Sequence, residues 1–273
     1  MIDTLDIQVA RQQQRTYYGK YRGFVVDNAD PENLGRVTVR VPSVLGNEVT
    51  GWALPCAPFG GLDGQGLFLI PEVDAQVWVE FEEGNPDKPI WTGTFWRAGD
   101  PPPENAQVAP PTTRILQTPA GHRLQFDDAD GDERVTLAHT GGSELVMEPD
   151  GNLILTNEGG SKLTLDNASS QVVLEDSSGN TMTMTSTGTT IEDSNGNKVE
   201  MGPSGVAVKG TTVTIEGNQV AVAGAGGEPL IKGTSFLSLF ATHVHTTTAP
   251  GAPTSPPIPQ GEFSSLTTKT TAN

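Results

Sequence analysis

One cysteine in 273 residues, Cys56, excludes an intrachain disulfide framework. It sits in the apolar run GWALPCAPF, where the expectation is a buried, inert thiol. Aromatic residues are scarce at 6%, and apolar residues reach only 35%, thin for a single globular core of this length. No run approaches the roughly 18 apolar residues of a membrane-spanning helix. The start, MIDTLDIQVARQQQR, lacks the basic and apolar regions of a secretory signal, so synthesis in the cytoplasm is expected, any later export needing a carrier. Positive charge is equally scarce. Against 16 Lys and Arg stand 33 Asp and Glu, a net charge of −17. Such a chain lacks the clustered cations of a phosphate-neutralising protein, and no nucleic-acid partner is expected.

What is abundant is glycine, 32 residues, and proline, 21, without a collagen period. That suits short strands and many turns, and the fold class expected is all-β. Over residues 17–96, GRVTVRVP alternates Val37, Val39 and Val41 with polar neighbours, and AQVWVEF does the same with Val77, Val79 and Phe81. YRGFVVD, TGWALPCAPF, GLFLI and PIWTGTFW lie between turn signals. Five or six strands in about 80 residues predict a small closed barrel. Residues 1–16 precede it. Residues 97–113, RAGDPPPENAQVAPPTT, read as an extended proline-rich joint.

From 114 to 237 the chain repeats one design: two apolar residues at i and i+2, then a polar or glycine corner. The first apolar positions are Leu145, Leu153, Leu163, Val172, Met182, Val199, Val206, Val213 and Val220, with a weaker copy at Thr189–Ile191. A strand with two inward side chains buries no core alone; stacked copies do. The six-residue aliphatic period of a single-chain β-helix is absent, as is the G-G-x-G-x-D of a calcium roll. An intertwined trimeric β-helix, a triangular prism with covered strand edges, fits best. Residues 121–230 carry 17 acidic against 5 basic side chains, so the shaft is an acidic rod. A dozen levels at about 4.8 Å give a length on the order of 55–60 Å.

The tip, residues 238–273, opens on SLFATHVHTTTAPGAP. In an extended strand His243 and His245 point the same way. At a three-fold axis three chains supply six imidazole nitrogens, a set that favours one iron ion per trimer over four-coordinate zinc. His122 and His139 lack a paired ligand in the sequence and are read as surface or turn residues.

YYGKYRGFVVDNADPENLGRVTVRVPSVLG, GWALPCAPFGG, GLFLIPEVDAQVWVEFEEGNPDKPIWTGTFW and TPAGHRLQFDDADGDERVTL together resemble the central spike of contractile tails. That family spans phage baseplate assembly protein V, the spikes of extracellular injection systems and the valine-glycine repeat spikes of type VI secretion. The resemblance runs from about residue 17 to about 260. It implies an oligonucleotide/oligosaccharide-binding (OB) barrel at 17–96, a trimeric β-prism and a sharp apex at the distal end of a tail tube. It also implies attachment to a tail hub and baseplate, tube proteins as neighbours and a target membrane. Paired histidines bind iron near the apex of phage relatives, and His243 and His245 match them. Other relatives carry a small cone-shaped (PAAR-type) tip protein, and APGAPTSPPIP is long enough to form its platform.

Three other functions fit the sequence less well. Catalysis is not expected: DDADGDE reads as a hairpin turn at Asp130-Gly131, and Phe126 and Leu137 stand where a calcium loop needs ligands. Trp52, Trp78, Trp91 and Trp96 offer nucleic-acid platforms without a basic groove, so packing is their expected use. A trimeric receptor-binding fibre or adhesin shares the shaft, but the last 30 residues hold one aromatic, Phe263, where a binding head needs several.

Overall fold

The computed structural model describes residues 16–218, 233–243 and 251. Two compact units divide the chain, Met1–Ala207 and Val208–Asn273. In the first, valine-rich alternation produces a five-stranded barrel: β1 (Tyr21–Asp27), β2 (Thr38–Arg40), β3 (Leu54–Pro55), β4 (Gln76–Phe81) and β5 (Pro89–Thr94), in the order β2-β1-β4-β5-β3. A four-residue helix, α1 (Pro42–Leu45), follows β2. The β3–β5 pair is parallel. The ring closes where the chain entering β3 returns to β2. Val37 N–H donates to the Ala53 carbonyl at 3.2 Å, Ala53 N–H donates back at 2.8 Å, and Thr50 N–H donates to Val39 at 2.9 Å. This is the OB-type barrel the resemblance implied.

The core is what the alternation foretold: Val25, Val37, Val39, Val41, Val77, Val79 and Phe81 are buried, joined by Ala53 and Trp91. Of the four tryptophans only Trp91 packs there; Trp52 and Trp78 are half-buried on the outside and Trp96 is exposed. Cys56 is exposed too, which corrects the expected buried thiol. Its N–H pairs with the Trp91 carbonyl at 2.9 Å, and the chain then leaves the barrel into a loop, so the apolar run around it never enters the core.

One carboxylate organises the loop between β1 and β2. Asp30, with a side chain 3% exposed, accepts from the N–H groups of Glu32, Leu34 and Arg36 and from Nε and NH2 of Arg36 at 3.0 and 2.6 Å. The Arg36 guanidinium, aided by those backbone donors, holds the Asp30 carboxyl far below the ordinary carboxylate range. A depressed folded-state pKa adds stability that is present above the unfolded value, about 3.9, and is lost as pH falls through the folded one. Asp30→Asn is therefore expected to be less stable than wild type near pH 7 and to approach it as pH falls below about 4. Thermal melts from pH 2 to 7 measure the gap, and a gap that stays constant would remove Asp30 from the acid limb.

Beyond the joint, eleven strands follow: β6 (Thr113–Gln117), β7 (Arg123–Asp127), β8 (Arg134–Ala138), β9 (Glu144–Met147), β10 (Leu153–Thr156), β11 (Lys162–Asp166), β12 (Gln171–Glu175), β13 (Thr181–Thr185), β14 (Gly188–Glu192), β15 (Lys198–Gly202) and β16 (Gly205–Lys209). They form one sheet in strict chain order. The repeats expected at Leu145 through Val206 each hold a strand, the weak copy included. The one at Val213 does not, since residues 210–218 contain no strand, and Val220 lies outside the described residues. In the second unit α2 (Gly233–Thr242) is a helix, where shaft strand was expected up to 237. Phe236, Leu237, Leu239 and Phe240 recur at helical spacing rather than at two.

Candidate functional site

The long sheet is positioned by its turns. Thr118–His122, His139–Ser143, Asn157–Ser161, Asp176–Asn180 and Asp193–Asn197 share one geometry and lie on one edge. In each, the first residue's N–H donates to the fifth residue's carbonyl, and the fourth residue, glycine, donates to the first residue's carbonyl, all at 2.8–3.1 Å. The glycine needs a positive φ, +85° at Gly179 and +81° at Gly196, where other residues are strained. Asp176 Oδ1 accepts from the Ser178 and Asn180 N–H groups, and Asp193 Oδ1 from those of Asn195 and Asn197. The side chains of Asn180 and Asn197, with those amides, lower both carboxyl pKa values.

These turns fix the register, and the register sorts the side chains. Leu124, Leu137, Leu145, Leu155, Leu163, Leu174, Met182, Ile191 and Val199 are direct cross-strand partners in one unbroken column. Beside it run Phe126, Val135, Met147, Leu153, Leu165, Val172, Met184, Thr189 and Met201. Both columns lie on the same face, because residues i and i+2 of a strand do. The opposite face carries Gln125, Thr136, Val146, Ile154, Thr164, Val173, Thr183, Thr190 and Glu200 in its middle column. Within the single chain the apolar face stays open: Leu137 is 55%, Leu174 50% and Met147 50% exposed. A contiguous apolar surface of this extent is a contact surface.

His243 directly follows α2; its N–H donates to the Leu239 carbonyl at 3.1 Å, and its Nδ1 faces the Phe240 carbonyl. The carbonyl only accepts, so the ring proton belongs on Nδ1. The backbone here is helical up to Thr242 rather than the extended strand expected. His245 lies outside the described residues. His122 and His139, which seemed isolated, are brought together by the β6–β7 and β8–β9 turns with ring centroids 4.5 Å apart. Each Nδ1 accepts a backbone N–H, from Thr140 at 3.3 Å and from Gly141 at 2.9 Å, which leaves the proton on Nε2 and no free lone pair for a metal. Their separation of 17 positions hides this pairing from any local pattern.

The acidic DDADGDE stretch joins β7 to β8 as a hairpin, with Gly131 at φ +76° and Asp132 N–H on the Ala129 carbonyl at 2.8 Å. Asp128 pairs with Arg114, and Asp132 with Arg134 at 2.5 Å. Among the described residues no group of three or more His, Cys, Asp or Glu side chains is arranged around a metal position. No described helix is long and apolar enough to cross a membrane.

Comparison with known proteins agrees with this architecture. Residues 21–96 match the type VI secretion system/phage-baseplate injector OB domain. The type VI secretion system spike protein VgrG3 of Vibrio cholerae is 28% identical over 145 residues, 50% of this chain and 14% of the relative. VgrG4b of Pseudomonas aeruginosa, another type VI secretion system spike protein, is 32% identical over 78 residues, 27% of this chain and 10% of the relative. The chain thus spans a small part of the length of the curated relatives it matches. The G-box domain of the microcephaly protein CPAP aligns with 70% of the chain and 99% of that domain at a TM-score of 0.28 and 13% identity, too low to carry an argument.

Proposed function

We propose that this chain, which belongs through its barrel to the phage-baseplate and type VI secretion spike family, is the non-enzymatic piercing spike of a contractile injection machine. The observation that carries the reading is the double apolar column that one chain leaves open along its sheet. Three copies packed face to face close it into a prism. Seventeen apolar side chains per copy, at about 1.5–3 kcal/mol each when fully buried, give tens of kcal/mol before ordering costs. The polar face, with its Thr, Glu and Lys side chains, then meets solvent. The barrel joins the shaft to the hub and tube, and the shaft transmits the stroke to a target membrane.

At the apex, His243 and its neighbour His245 are proposed to hold one iron ion per trimer. His243 fits, because its Nδ1 faces the Phe240 carbonyl, the outer-shell contact that orients a metal-ligating imidazole. Bound there, the metal supplies a cross-link between three chain ends. A cone-shaped tip protein seated on the residues after His245 is the other way to finish the apex. Native mass spectrometry with elemental analysis tests both. A trimer with about one iron is expected, and His243→Ala/His245→Ala is expected to stay trimeric and lose the metal. A metal-free wild-type trimer would leave the spike and remove the iron; a monomer would sink the prism.

A further inference from the structure

We infer that the outer face of the barrel is a docking surface for an extended acidic segment of a partner protein, held by Arg22, Arg40 and Arg97. This goes beyond the piercing role and does not depend on it. Alternation along β1 sends Gly23 and Val25 inward and Arg22 and Phe24 outward. Register then sets Arg22 opposite Trp78 on β4 and Phe24 opposite Arg40 on β2. The Arg22 guanidinium lies 5.9 Å from the Trp78 ring and 5.5 Å from the Phe95 ring, themselves 4.8 Å apart. Arg40 and Arg97 lie 6.0 and 5.7 Å from the ring of Phe24.

Each guanidinium is held in place by an aromatic ring and keeps the planar N–H fork that matches a carboxylate. Arg97 shares its fork with Asp100 at 2.7 Å. Among the described residues no ion pair includes Arg22 or Arg40, in a chain with 33 carboxylates to choose from. Both are exposed.

Charge decides the kind of partner. Residues 16–97 hold 11 carboxylates and 6 cations, so the patch is a small positive island. A nucleic-acid strand carries a charge at every nucleotide and would run on over acidic surface. A short strand with carboxylates at alternate positions, about 6.6–6.8 Å apart, matches the step from Arg22 to the Phe24–Arg40 row and ends within the island.

The test uses the full chain and a fluorescein-labelled Glu-Val-Glu-Val-Glu-Val peptide, read by fluorescence anisotropy at low salt. Wild type is expected to bind it and not its Gln-for-Glu counterpart. Arg22→Gln/Arg40→Gln should bind at least tenfold more weakly, and Arg22→Lys/Arg40→Lys should fall between. Carbodiimide coupling of the bound peptide to wild type should map to Lys20, which adjoins the patch through its contacts with Glu80 and Thr92. That second readout stands even if the variants misfold. No binding, binding indifferent to the arginines, or coupling confined to other lysines overturns the proposal. So does tighter binding of oligo-dT, which would make the face a nucleic-acid platform.

Discussion

Leu174→Asp is expected to abolish assembly of the shaft, giving monomer or aggregate in place of the trimer proposed for wild type. Leu174 sits in the middle of the unbroken apolar column, paired with Leu163 on one side and Met182 on the other. The substitution removes about 1.5–3 kcal/mol of burial per copy. It also places a carboxylate in an apolar seam, with an effective penalty of several kcal/mol per ion. Three copies bring the cost to the order of 10 kcal/mol or more, as large as the stability of a typical domain. Thr164→Asp, next to Leu163 on the opposite face, is the control and should assemble normally. Light scattering after size exclusion separates the two. If both variants remain trimeric, the double column is not what joins the copies.

Trp91→Ala is expected to destabilise the barrel by about 3–5 kcal/mol, the range for deleting a buried aromatic. Trp91 is 8% exposed within the valine core, and its Nε1–H donates to the Gly35 carbonyl at 3.1 Å. That bond ties the Asp30-organised loop to the core, where a Cβ on Gly35 would stand 2.7 Å from Ile70 Cδ1. Removing the ring opens a cavity and orphans a buried carbonyl at once. For a barrel of about 80 residues the midpoint should fall by roughly 12–40 °C. Calorimetry can follow it, with Trp91→Phe as the milder variant that keeps most of the packing and loses the bond. A drop of only a few degrees for Trp91→Ala would show that the loop, not the ring, closes that end.

The barrel was legible because strand period two is a strong signal: Val37, Val39, Val41, Val77, Val79 and Phe81 all face the core. The shaft was legible for the same reason, and most of its corners carry or adjoin a glycine, though Asn167–Ser170 does not. What the sequence hid were contacts between distant positions. Asp30 collects five donors, one of them two positions away and four at positions 34 and 36, which no periodicity marks. His122 and His139 became neighbours only once the hairpin register was set. Arg22, Arg40 and Arg97 are spread over 76 positions, so no window contained the patch they form. The helix Gly233–Thr242 was missed because its 3–4 spacing directly follows a tract dominated by period two. The histidine pair proposed for the tip has no geometry to compare, since His245 lies outside the described residues.

The five equivalent turns have one more consequence. They begin at residues 118, 139, 157, 176 and 193, so one hairpin is a self-contained module of some 17–21 residues that returns the chain to the same edge and face. Duplicating or deleting a module leaves every other register unchanged. In the proposed spike the reach of the shaft is therefore quantised, in increments of about 9.6 Å for each pair of strands, so that its length can be retuned without redesigning the barrel.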